Sequence, residues 1–140
     1  MSAPDPKEPC FIDTNVWLYA FIQSQDQNKS AIAKTIIQQS EIIVSAQVIN
    51  EVCVNLIKKA HFDEPRIQQL IHSFYHKYSV AALEEAVLLT ASDLRQKWQL
   101  SFWDSVIVSS ALSGGATILY SEDMHSGLVI ENRLRIINPF

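Results

Sequence analysis

No stretch of the 140-residue chain approaches the roughly 18–20 consecutive apolar residues that cross a bilayer. The opening segment, Met1 to Pro9, has neither the basic nor the apolar region of a signal peptide. It carries three of the five prolines and reads as a short disordered leader (1–9) ahead of one domain over 10–140. Cysteine is scarce. Cys10 and Cys53 both sit among apolar neighbours, which excludes a disulfide-dense secreted scaffold and fits two reduced, buried thiols in a cytoplasmic protein. A Cys10–Cys53 bridge stays open at this point. Basic charge is also in short supply, with 11 Lys+Arg against 15 Asp+Glu and a formal charge of −4. That argues against a DNA-packaging protein or a polybasic membrane-surface binder. It does not exclude nucleic acid as a substrate, because the placement of the acids decides that. There is no internal repeat and no linker-like stretch.

Short apolar runs alternate with longer amphipathic ones. Cys10-Phe11-Ile12 is too short for a helix and ends at Asp13, after which Trp17, Leu18, Phe21 and Ile22 recur at helical spacing. A second helix over 28–39 has Ile32, Ile36 and Ile37 on its expected inner stripe. Ile42-Ile43-Val44 reads as a buried strand. Helices follow over 46–60 and 64–77, the latter opened by Pro65. A short strand near 78–80 precedes a helix over 83–98, whose expected buried side is Ala86, Val87, Leu89, Thr90 and Leu94. Another helix, 102–113, ends at Gly114-Gly115. Strands close the chain over 116–120 and 134–137. This alternation predicts an α/β domain of three layers, α/β/α, around a mostly parallel sheet. Ligands bind such sheets at the carboxyl ends of the strands, which directs attention to Asp13, to Ser45 onward and to Ser121-Glu122-Asp123.

Four acids lie at or near those places, and each has an ordinary structural explanation. Asp13 can cap the helix it precedes. Glu51 shares a polar helix stripe with Asn55 and Lys58, although apolar residues crowd it on both sides. Asp104 stands three residues after Ser101, the spacing of a variant capping box. Asp123 follows Glu122 in a polar turn, and which of the two points inward is open, with strand alternation favouring Asp123. Together the four would surround one edge of one sheet. Carboxylates gathered in a cleft repel one another unless a cation is bound. Oxygen-only ligands suit Mg²⁺ or Mn²⁺ rather than zinc, and the chemistry such an ion serves is phosphodiester hydrolysis. Setting these four acids aside leaves eleven acids against eleven bases.

The motifs Phe11-Ile12-Asp13-Thr14-Asn15-Val16, Asn50-Glu51, Ser101-Phe102-Trp103-Asp104 and Leu119-Tyr120-Ser121-Glu122-Asp123-Met124 occur in that order. They resemble the four acidic motifs of PIN-domain ribonucleases, and Arg135-Ile136-Ile137-Asn138-Pro139-Phe140 resembles the end of many bacterial PIN proteins. The resemblance runs from Cys10 to Phe140. It implies an acidic site holding one or two Mg²⁺ or Mn²⁺ ions and hydrolytic cleavage of RNA. Asp13, Glu51, Asp104 and Asp123 are the implied catalytic residues and metal ligands, with Asn15 and Ser121 as supporting polar groups. Ser121 stands where a threonine is common and keeps the hydroxyl. Stand-alone domains of this length resemble VapC-like toxins, which implies a small antitoxin partner, a homodimer and a cytoplasmic setting without a membrane.

Other residues and other classes fit less well. His72 and His76 have a zinc-compatible spacing but lack the following Glu of metalloproteases, so a surface pair is expected. Trp103, read first as core or interface, has base stacking as its alternative. A haloacid-dehalogenase phosphatase would need an Asp where Asn15 stands. A phospho-accepting receiver would need an acidic pair before the first strand's end and a lysine after a late strand, where Ser121-Glu122-Asp123 is found. A PIN scaffold without catalysis would not need the full acidic set.

Overall fold

A computed structural model describes residues 8–22 and 26–140, so most of the expected leader lies outside the described residues. Six strands, β1 (Pro9–Ile12), β2 (Glu41–Ser45), β3 (Ser79–Ala81), β4 (Ile118–Tyr120), β5 (Val129–Ile130) and β6 (Leu134–Ile137), form one sheet in the order β3-β2-β1-β4-β6-β5. Every pairing is parallel except that of β5 with β6. The helices are α1 (Thr14–Phe21), α2 (Gln27–Gln39), α3 (Ala46–Ala60), α4 (Glu64–Lys77), α5 (Glu85–Trp98) and α6 (Phe102–Ser113). This is the three-layer α/β/α domain with a mostly parallel sheet that the alternation of elements predicts.

The connections explain the layers. From β1 to β2 and from β2 to β3 the chain steps in one direction, and from β3 to β4 it crosses back over β1. Parallel crossovers are right-handed, so the reversed step carries α5 and α6 to the face opposite α1 to α4. Packing agrees, since α1 lies against α2 and α3 while α5 lies against α6. The strand order reverses between β1 and β4. The crevice beyond the carboxyl ends of strands at such a reversal is where open α/β sheets bind ligands.

The core sits on β1, whose Cys10, Phe11 and Ile12 are buried, and on the row Val48, Val52 and Leu56 of α3. Every residue of α6 from Ser105 to Leu112 is buried, as expected of a helix enclosed on all sides. Two of its serines are accommodated by carbonyl acceptors, Ser105 Oγ donating to Ser101 O at 2.8 Å and Ser109 Oγ to Val87 O at 2.7 Å. The helix ends against β2 so closely that a Cβ on Gly114 would lie 2.6 Å from Ile43 Cγ2. Cys10 and Cys53 are free and buried. No described helix is long and apolar enough to cross a membrane.

Some details differ from the sequence reading. α5 begins at Glu85 and buries Val87, Ala91 and Leu94, leaving Leu89 60% exposed. It covers α6 rather than the sheet, so one narrow stripe suffices, and the small Ala91 permits the close approach. α2 buries Ser30 and Ala33, with Ile36 and Ile37 half-buried and Ile32 exposed. β4 starts at Ile118, not at residue 116, and the two-residue β5 is too short to leave a periodic signal.

Candidate functional site

Asp13 leaves the end of β1 and is fixed from three directions. Its backbone N–H donates to Tyr120 O at 3.0 Å, tying it to the end of β4. Its Oδ1 accepts from Thr14 N at 2.8 Å and so caps α1. Its Oδ2 accepts from Ser121 Oγ at 2.8 Å. The N-cap explanation therefore holds for Asp13 and does not exhaust it, because capping uses one oxygen and leaves the other facing β4. Ser121 is itself fully buried, with its N–H donating to Ile137 O at 3.0 Å and its Oγ accepting from Met124 N at 3.3 Å.

Glu51 comes from the second turn of α3. Ser45 Oγ at the end of β2 accepts from Val48 N at 3.2 Å and sets that helix against the sheet edge. Glu51 is half-buried, and its Oε1 is buried with no hydrogen-bond partner. Thr14 Oγ1, beneath the same region, is also buried and unpartnered. Asp104 lies in the first turn of α6, where its N–H donates to Ser101 Oγ at 3.1 Å, as the capping-box spacing predicts. Its carboxyl group is half-buried. Asp123, more exposed, accepts a hydrogen bond from the Asn15 side-chain amide. The neighbouring Glu122 turns away from these acids and accepts from Tyr19 OH at 2.8 Å and from Lys29 Nζ. Within the acidic doublet, Asp123 is thus the residue on the side of the other three.

The charges feel one another. Burial raises the pKa of Asp13, the hydrogen bonds from Ser121 and Thr14 lower it in part, and the charges of Asp104 and Asp123 raise it further. Burial pushes Glu51 up to about 7, aided by repulsion from Asp13 and Asp104. Asp104 is raised by burial and by Asp123, with Ser101 opposing. Mutual repulsion therefore links all four acids. Among the described residues no three Asp, Glu, His or Cys side chains stand close enough together to hold a metal ion between them. The donor set nonetheless fits a hard divalent cation: oxygen donors only, excess negative charge in a partly desolvated place, and an orphaned Glu51 Oε1.

Two clefts lie elsewhere and include none of these acids. One of about 730 Å³ lies between α5, α6 and the β5–β6 turn, and one of about 300 Å³ is walled by Trp17, Phe21 and Phe74. Phe102 and Trp103, about half-exposed, border the acidic edge. His72 and His76 are exposed on α4 with their rings stacked 6.3 Å apart, as the surface-pair reading expects. Thr14, Tyr19 and Lys29 adjoin these acids without a distinguishing motif of their own in the sequence. Thr14 had a signal in its place beside Asp13, but the other two reach the site only through the tertiary fold.

The family model described as PIN domain matches residues 10–125. The chain belongs to the PIN-domain family. Solved structures share this PIN fold. The Mycobacterium tuberculosis VapC20 toxin, described as cleaving the sarcin–ricin loop, aligns with a TM-score of 0.65 at 16% identity, covering 81% of this chain and 89% of that one. A toxin–antitoxin complex from Klebsiella pneumoniae gives 0.70 at 20%, covering 94% and 98%. VapBC2 from Rickettsia felis, bound to a promoter DNA fragment, gives 0.63 at 17%, covering 93% and 99%. No curated protein sequence matches the chain.

Proposed function

We propose that this PIN-domain protein is a Mg²⁺- or Mn²⁺-dependent endoribonuclease that serves as the toxin of a type II toxin–antitoxin pair. What supports the reading is the charge repulsion that links Asp13, at the end of β1, to Glu51, Asp104 and Asp123, with Asp13, Glu51 and Asp104 also raised by burial. Family membership supports nuclease chemistry. The toxins and toxin–antitoxin complexes among structures of the same fold support the biological setting. The same reading gives the protein a small antitoxin partner, a second copy of itself and a cytoplasmic location.

Asp13, Glu51 and Asp104 would hold the ion, and Asp123 would complete its surroundings. A bound divalent ion supplies Lewis-acid charge to the scissile phosphate and eases loss of a proton from the attacking water. The chain's own residues do the positioning. Ser121 Oγ and Thr14 N–H hold the two oxygens of Asp13 in fixed directions, and the Asn15 amide holds Asp123. Trp103 and Phe102 offer aromatic faces to an unpaired base beside the acids.

Incubation with a generic single-stranded RNA tests the reading. Cleavage should require Mg²⁺ or Mn²⁺ and vanish in D13N/D104N while that variant keeps its fold. Undiminished metal-dependent cleavage by the double variant would overturn the assignment. Co-purification of the product of a small adjacent open reading frame tests the toxin–antitoxin half separately.

A further inference from the structure

The loop that leaves β4 carries two adjacent acids whose side chains bond different partners. Ser121 is pinned to Ile137 O and to Asp13. Met124 returns its N–H to Ser121 Oγ at 3.3 Å and buries its side chain. Between these fixed points Glu122 is bonded by Tyr19 and Lys29, and Asp123 by Asn15. We propose that Lys29, assisted by Tyr19, is a positioning residue for Asp123: by holding Glu122 on the outer side of the loop it turns Asp123 toward Asn15 and the other acids. The inference rests on the metal-site reading above.

The anchor is directional at every step. The Lys29 backbone is fixed in the first turn of α2, where its N–H donates to Asp26 Oδ1 at 3.1 Å. Its ammonium bonds Glu122 Oε2, while Tyr19 OH bonds Glu122 Oε1 at 2.8 Å, so both carboxylate oxygens are engaged by different elements. The ammonium also lies 5.0 Å from the Tyr19 ring centroid and 5.5 Å from that of Phe140, and the two rings meet edge to face at 5.1 Å. Cation–π contacts of this kind hold a lysine head in place. The pair is only partly shielded, with side-chain exposures of 32% and 22%, and partly exposed ion pairs contribute little to global stability. Loss of Lys29 should therefore disturb the loop far more than the fold. Outer partners that orient metal-binding groups typically change affinity by about 10–100-fold when removed.

Lys29→Met keeps most of the aliphatic stem and removes the charge, and Lys29→Arg restores it. Two readouts separate the lock from the metal site: hydrogen exchange of the Met124 amide in protein treated with chelator, and Mn²⁺ affinity measured by EPR of the free ion. K29M should speed Met124 exchange and weaken Mn²⁺ binding by about tenfold or more, with the melting temperature nearly unchanged, and K29R should restore both. Glu122→Gln should resemble K29M, and the double variant K29M/D123N should bind Mn²⁺ no more weakly than D123N alone. Wild-type exchange and affinity in K29M, or full additivity with D123N, would overturn the proposal. So would an E122Q loss larger than that of D123N, which would make Glu122 the ligand. Wild-type protein that binds no Mn²⁺ refutes the metal-site reading instead. The exchange measurement then decides alone whether Lys29 holds the loop.

Discussion

Substituting Glu51 by Gln should stabilise the metal-free protein at neutral and alkaline pH. Burial and the charges of Asp13 and Asp104 raise Glu51 from 4.5 to about 7. In the unfolded chain the group ionises near its ordinary value, so between about pH 4.5 and 7 the fold holds a proton that the unfolded chain has released. Stability is thus greatest below 4.5, declines as pH rises to about 7, and is flat beyond it. A fully shielded carboxyl so displaced would carry a penalty of about 3 kcal/mol above pH 7. Glu51 retains solvent contact, and screening reduces this to about 1–2 kcal/mol. Gln has the same shape and no charge to repel its neighbours. At pH 8 with chelator present, E51Q should melt roughly 3–8 °C above wild type for a domain of this size. At pH 4.5 the difference should largely disappear, because wild-type Glu51 is then protonated in the fold. Mg²⁺ at pH 8 should raise the wild-type melting temperature more than that of E51Q. A melting temperature for E51Q below wild type at pH 8, or an equal gain at both pH values, would refute the electrostatic reasoning.

Asp13→Asn should abolish Mg²⁺-dependent RNA cleavage while the melting temperature with chelator stays at or above that of wild type, read by a gel assay beside calorimetry. Trp103→Ala should raise KM for single-stranded RNA about tenfold, with kcat little changed, if the exposed indole stacks on a base; an unchanged KM would return Trp103 to an interface role. Gly114→Ala should cost about 1–3 kcal/mol in denaturant unfolding, since the new Cβ would meet Ile43 Cγ2 at 2.6 Å, and less in an Ile43→Ala background that removes the opposing methyl.

The elements that carry strong local signals were legible in the sequence. Phe11-Ile12 followed by Asp13 marks a central buried strand ending at a cap, and the structure puts Asp13 at that edge with both oxygens held. The Ser101–Asp104 spacing likewise predicts a hydrogen bond that forms. Amphipathic helices proved harder wherever more than one apolar stripe was present. α5 carries Leu88 and Leu89 beside Val87 and Ala91, and only the partner helix α6 decides that Leu89 faces outward. The Glu122-Asp123 doublet was ambiguous for a related reason. Glu122 is claimed by Tyr19 and Lys29, about a hundred residues earlier in the chain, and no local pattern announces such a partner.

Locating Mn²⁺ by its anomalous scattering in soaked crystals tests the four-acid site most directly. The ion should lie in the crevice between β1 and β4, contacting Asp13 together with Glu51 or Asp104, with Asp123 on its near side and Glu122 still paired to Lys29. An ion bound away from Asp13, or one that draws in Glu122 in place of Asp123, would contradict it.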